Sequence, residues 1–236
     1  MFSHEVDGGV AVLRLENPPV NAVSFAQWRG FPARLREIAA MPEVGAIVFT
    51  GLPGRHFCAG NDRREFASLR PEETDRGTAA VRDAMRAVIE CPRPTIAAMH
   101  GAALGSGFML CCASDIRIGA AGGQLGLPEV KAGAFGGYAL ARRVAPIGEA
   151  RYMTCLGDAI SAERAYQIGI LQELCETPEA ALARAVAIGG QIGGLLTGGL
   201  AATPAALEEA EGQPLWEAYE CERRLAIASM GVNRPG

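Results

Sequence analysis

The chain has 236 residues, of which 49% are hydrophobic and 20% charged, and its formal net charge is −4. That is enough apolar material for a sizeable core, either in one large domain or in a domain with a small appendage. Lysine and arginine form no long run, so there is no global basic field to gather nucleic acid, and the apolar runs are broken by glycine, proline or charge before they reach the length of a membrane span.

In chain order, 4–6 and 10–15 flank Asp7-Gly8-Gly9 and predict a hairpin, ended by Asn17-Pro18-Pro19. Ser24 reads as the N-cap of a helix in which Trp28, Phe31, Leu35 and Ile38 recur at three- and four-residue steps, and Pro42 closes it. The β-type run 46–50 predicts a strand covered on both faces, feeding a glycine-bearing loop from Gly51 to Gly60. A helix is predicted over 78–90, after which Pro92 and Pro94 break the chain before a strand over 95–99. Residues 101–106 turn into a small-residue helix over 107–113, followed by a strand over 116–118. Strand, loop, helix and strand therefore occur twice in succession. Beyond Pro128 the pattern is mainly helical: 138–145, 149–156, 162–168 with Ser161 as cap, 178–188 and 215–229. The stretch from Gly189-Gly190 to Gly198-Gly199 reads as a loose linker, which divides the chain into an α/β core over 1–190 and a short helical segment over 191–236.

Two segments carry the chemistry: Phe57-Cys58-Ala59-Gly60-Asn61-Asp62 and 101–107. Each follows a strand-like run and puts glycine where the backbone turns sharply, so that main-chain N–H groups can face a bound group. Two such donors converging on one oxygen make an oxyanion hole, able to stabilise a thioester enolate. Competing motifs fail. Ser106 lies in Leu104-Gly105-Ser106-Gly107-Phe108, without the outer glycines of a hydrolase elbow, and no dinucleotide or Walker-type glycine pattern occurs. His4, His56 and His100 show no ligand spacing, so no metal is expected. The seven cysteines, an odd number without paired spacing, read as reduced thiols of a cytoplasmic protein, and neither His56 nor His100 is placed to activate one. No charged region followed by an apolar stretch marks a signal peptide at the start. Arg63 and Arg64 read equally as a solvated helix face or as partners of a phosphate.

Taken together, these segments resemble the enoyl-CoA hydratase/isomerase (crotonase) family over the region from the first strands to about residue 175. Residues 17–24 look like the family's early loop, 57–62 its first oxyanion segment, 95–107 its second, with 113–118 following. Gly126-Leu127-Pro128-Glu129-Val130 looks like the catalytic loop and 156–171 the late helical segment. The resemblance implies a crotonase (ClpP-like) spiral of ββα units with a helical C-terminal trimerisation region, assembly as a trimer or dimer of trimers, and an acyl-CoA substrate whose coenzyme A is the only cofactor. The N–H groups of Asn61 and Ser106 become the oxyanion donors and Glu129 the catalytic carboxylate, with Ala22, Ala59, Gly60, Asp62, Arg64, Gly105, Met109 and Phe135 around the substrate. The related Clp-type peptidase chemistry is set aside, because no serine, histidine and aspartate occupy a convincing order.

Three departures from the family pattern stand out. Met109 occupies the position of the first of the two glutamates used by hydratases, and a thioether neither accepts nor donates the proton that hydration requires. The loop 131–137 is a few residues shorter than in relatives, which makes Phe135 a candidate wall of a reshaped acyl pocket. Relatives also often continue past the equivalent of Gly236 into a helix that covers CoA, which implies weaker CoA contact here. A single glutamate suffices to shift a 3-enoyl double bond to the 2-position, so an isomerase is the leading expectation. Hydratase, decarboxylase or thioester hydrolase chemistry, or a non-catalytic acyl-CoA binder, remain open, as does a structural ion pair of Glu129 with Lys131 or an arginine.

Overall fold

The computed structural model describes residues 2–52, 54, 56–68, 70–197 and 204–232. Strands β1 (Phe2–Asp7) and β2 (Val10–Leu15) pair antiparallel from Phe2↔Leu15 to Asp7↔Val10, with the turn at Gly8 and Gly9. Helix α1 (Phe25–Ala39) begins with a capping box: Gln27 N donates to Ser24 Oγ, and Ser24 N donates to Gln27 Oε1 at 2.9 Å. Its predicted apolar stripe, Trp28, Phe31, Leu35 and Ile38, is buried.

Three two-strand units follow. The first is β3 (Ala46–Gly51) and β4 (His56–Cys58) with α2 (Arg63–Ser68) and α3 (Pro71–Ile89). The second is β5 (Thr95–Met99) and β6 (Ala102–Leu104) with α4 (Ser106–Ala113). The third is β7 (Ile116–Ala120) and β8 (Gln124–Gly126), followed by a 3-10 turn (Pro128–Ala132) and α5 (Tyr138–Val144). The chain continues through α6 (Ile147–Leu156), β9 (Ile160–Ser161), α7 (Ala162–Gln167), β10 (Glu173–Cys175), α8 (Pro178–Thr197), α9 (Pro204–Ala210) and α10 (Leu215–Val232). In every unit the first strand joins a six-stranded sheet, ordered β1-β2-β3-β5-β7-β10, and the second joins a four-stranded sheet, ordered β4-β6-β8-β9. This is the spiral of ββα units. The repeat expected twice occurs three times, because the second strand of each unit spans only three residues and leaves no alternation to read.

The large sheet is covered on both faces, as its continuous apolar strands require. Ala11, Leu13, Leu15, Ile47, Phe49, Ala97 and Met99 pack with α1, α3 and α4, while the alternate residues Val10, Val12, Val48, Ile96, Ala98 and Ile118 meet Ala181 and Ala185 of α8.

Two expectations need correction. Helix α3 starts at Pro71, seven residues before the predicted 78, because proline at the first helical position and Glu73 Oε2 accepting from Arg70 N at 3.0 Å set the start, whereas Gly77 hides the periodicity between them. The glycine-rich stretch is not a linker as far as residue 197: α8 runs through it, and the expected division at 190/191 falls inside this helix. Gly198-Gly199 lies outside the described residues. The buried stripe of α8 is Ala181, Ala185, Gly189 and Gly193, one small residue per turn, which lets the helix lie close against the start of β3. A Cβ at Gly45 would stand 2.8 Å from Gly193 Cα, so here glycine serves packing. At the C-terminal end α10 packs on α9, which is tied to α5 by Arg143 and Glu208 at 2.5 Å. None of the described helices is long and apolar enough to cross a membrane.

Overpacking a well-filled contact costs about 1–3 kcal/mol. Gly45→Ala should lose about that much in urea denaturation, whereas Gly190→Ala, whose Cβ meets nothing within 4 Å, should gain up to about 1 kcal/mol from helix propensity.

Candidate active site

Strands β4, β6 and β8 are parallel neighbours, so their carboxyl ends lie along one edge of the smaller sheet. In parallel sheets that edge is where ligands bind. Asn61 lies three residues beyond the end of β4, Ser106 two beyond β6, and Glu129 three beyond β8. Residues far apart in sequence are thus delivered to one place by three copies of the same unit.

The three segments touch. Gly60 has φ +98°, and a Cβ there would come within 2.9 Å of the Leu104 carbonyl oxygen. Gly105 has φ +54°, and its Cβ would stand 2.6 Å from Glu129 Oε1. Only glycine meets both the torsion and the space at these two positions.

The early loop holds the first turn from the other side. Ala59 N donates to Val20 O at 3.1 Å, Val23 N to Gly60 O at 2.9 Å, and Asp62 N to Val23 O at 3.1 Å. The last two bonds flank Asn61 in a parallel bridge, which turns its own N–H away from Val23, and that N–H donates to no other described protein group. Ser106 is the first residue of α4, so its N–H is one of the donors a helix start leaves unpaired, at the positive end of the helix dipole. The side chains of the same two residues are joined: Asn61 Oδ1 accepts from Ser106 Oγ at 2.8 Å and from Trp28 Nε1 at 2.9 Å.

Glu129 sits in the 3-10 turn, half-buried. Its Oε2 is, among the described residues, the one buried side-chain oxygen or nitrogen without a hydrogen-bond partner. Burial pushes this carboxyl above the usual glutamate range, opposed in part by its own backbone N–H. Lys131, the alternative partner considered from sequence, pairs with Asp158 at 2.5 Å instead. Met109, one helical turn beyond Ser106, is the one residue of α4 that is not fully buried. Its terminal methyl faces the loop after the 3-10 turn, at 2.9 Å from where a Gly137 Cβ would be.

The remaining predicted contacts divide. Ala22 and Ala59 are half-buried beside the first turn and Gly60 is buried within it. Asp62, expected at the substrate, is occupied with capping: its Oδ1 accepts from Arg64 N at 2.8 Å and Glu65 N at 3.4 Å at the start of α2. Glu65 Oε2 in turn accepts from Phe25 N at 2.8 Å at the start of α1. Arg64 is exposed on α2. Phe135 is not a pocket wall within this chain. It is 79% exposed, on a loop bounded by the left-handed residues Gly133 and Gly137. His56 Nδ1 accepts from Ala102 N at 3.1 Å, a contact within the smaller sheet. Burial pushes the Cys58 thiol beside the first turn up to about 12, so no thiolate is available there. No cluster of three metal-ligating side chains occurs among the described residues. Sequence reasoning passed over Trp28, which it read as core. The signal was its N–H, since a buried indole needs an acceptor.

Against this geometry, the sequence matches the enoyl-CoA hydratase/isomerase family over residues 5–225. A "Probable enoyl-CoA hydratase" of Bacillus subtilis is 38% identical over 175 residues, covering 72% of this chain and 67% of the relative. A relative of the same description in Mycobacterium avium is 37% identical over 172 residues, covering 71% of this chain and 66% of its own length, just under two thirds. The crystal structure of an enoyl-CoA hydratase from Bacillus anthracis superposes with a TM-score of 0.88 at 25% identity, covering 96% of this chain and 89% of that one. A hydratase/isomerase family structure from Silicibacter pomeroyi has the same fold, with a TM-score of 0.89 at 24% identity and full coverage of both chains. The chain belongs to the enoyl-CoA hydratase/isomerase family, and its fold is the crotonase fold.

A carboxyl whose pKa is raised by folding favours the fold below its unfolded pKa and loses that advantage as pH rises through the folded value. Glu129→Gln should therefore be more stable than the parent at neutral pH. The gap should close on acidification below the ordinary glutamate range, as measured by urea denaturation across pH.

Proposed function

We propose that this chain is an acyl-CoA enzyme that moves a double bond from the 3- to the 2-position of an enoyl-CoA. The observation that carries the reading is a desolvated carboxyl at Glu129, with an unpartnered oxygen, set against Gly105 of the second turn; the resemblance puts Met109, which carries no proton, at the other acid–base position. The Glu129 carboxylate takes a proton from C2 of the 3-enoyl thioester. The C–H electron pair forms the C1–C2 double bond and the carbonyl pair moves onto oxygen, giving a dienolate. The N–H groups of Asn61 and Ser106 donate to that oxygen, and the dipole of α4 adds to them. The Glu129 carboxylic acid then returns the proton to C4, the carbonyl re-forms and the double bond settles between C2 and C3. One group acts as base and then acid, which a pKa raised toward neutrality serves. No cofactor is needed beyond the CoA of the substrate.

A hydratase is the second reading, favoured by the names that relatives carry. Hydration needs a water held between two acid–base groups, and Met109 can be neither. Decarboxylation, thioester hydrolysis, or binding without turnover would use the same two amides. Assembly as a trimer or dimer of trimers is part of the proposal, supported by Leu215, Trp216 and Tyr219 of α10, which are 73%, 77% and 60% exposed.

Incubation with a 3-enoyl-CoA should yield the 2-enoyl isomer, and Glu129→Gln should lower kcat by about 10²–10⁴-fold. The acid limb of the parent's pH–rate profile should lie above the ordinary glutamate range. No 2-enoyl product, or a Glu129→Gln variant as fast as the parent, would refute the isomerase reading. Hydration of a 2-enoyl-CoA by the parent as fast as isomerisation would put the hydratase in its place. Met109→Glu, by adding the second carboxyl, should raise hydration of a 2-enoyl-CoA about tenfold or more over the parent.

A further inference from the structure

The two amides proposed to hold the thioester oxygen come from different segments, and nothing in a single backbone strand sets the distance between them. What spans the gap is a side chain. Asn61 Oδ1 accepts from Ser106 Oγ across the two turns and from Trp28 Nε1 of α1. An indole nitrogen is a donor only, so it fixes which end of the Asn61 amide faces it. Trp28 is itself fully buried and held among aromatic rings, with Phe31 edge-on at 5.6 Å and Phe2 at 6.1 Å. Ser106 is 1% exposed. A residue anchored in the core therefore orients Asn61, and Asn61 orients the start of α4.

We infer that Trp28, the Asn61 carboxamide and the Ser106 hydroxyl form a positioning relay that sets the separation and direction of the Asn61 and Ser106 backbone donors. The inference rests on the reading that those donors bind a thioester oxygen. It assigns Trp28, otherwise a core residue, a role in the reaction without contact to substrate, and it gives a serine hydroxyl a use at a position where only the backbone is needed. Donors fixed before the reaction stabilise the charged enolate more than the neutral ground state, so the relay acts on kcat and little on KM.

The test pairs kinetics with the infrared spectrum of but-2-enoyl-CoA carrying ¹³C at the thioester carbonyl. Bound to the parent, the carbonyl stretch should shift to lower frequency than in water. Ser106→Ala and Trp28→Phe should each give back part of that shift and lower kcat about tenfold, with KM changed by less than about twofold. The double variant should be little worse than the slower single one, because both act through Asn61. Variants that lose kcat while the carbonyl band stays at the parent's frequency, or that multiply independently, overturn the relay and leave the two donors standing. A parent that fails to bind the thioester, or binds it without moving the band, overturns the donors and the relay together.

Discussion

The site depends on one steric constraint: two glycine turns lie so close that neither tolerates a side chain. Gly60 faces the Leu104 carbonyl and Gly105 faces Glu129. The smaller sheet brings the turns together, and the glycines let the backbones meet once there. Close backbone approach has a chemical consequence. Main-chain N–H groups can converge on one atom only if no Cβ stands between the segments, and main-chain donors need no rotamer to be fixed before they act.

Around that contact the charges are few. The carboxylates adjoining the turns are occupied elsewhere: Asp62 caps α2, and Glu65 accepts from the first residue of α1. Glu129 has no ion-pair partner among the described residues, and its burial raises its pKa. Met109, which the family resemblance sets at a glutamate position, can carry no proton. On the proposed reading this leaves steps that one base can begin and finish, and the Met109 methyl lies against the glycine loop that follows the 3-10 turn.

Much of this was legible in the sequence, and the parts that were not fail for identifiable reasons. The hairpin, the Ser24 cap and the strands over 46–50 and 95–99 follow from turn chemistry and period, and they stand where predicted. The second strand of each unit was hidden by its brevity. The glycines of α8 misled because glycine at a helix–sheet contact and glycine in a linker look alike in one dimension; only the four-residue spacing of Ala181, Ala185, Gly189 and Gly193 separates them. At the site, Asn61, Ser106 and Glu129 were named from motif position, and the structure places them at one sheet edge. Asp62 and Phe135 were placed at the substrate by the resemblance; in the structure Asp62 Oδ1 caps α2 and Phe135 is exposed. Trp28 was missed because an apolar stripe accounts for a tryptophan without asking where its N–H goes.

The threefold repetition of the ββα unit has a structural corollary. Each copy delivers residues to the shared seam: Asn61 from the first, Ser106 with its neighbour Met109 from the second, and Glu129 from the third. The strands that bring these segments together are secured by their own ladder bonds, and the side-chain bonds of Asn61 then fix the first two segments relative to each other. In such an architecture a residue beyond one strand end can be replaced without altering the strand pairing that brings the three segments together.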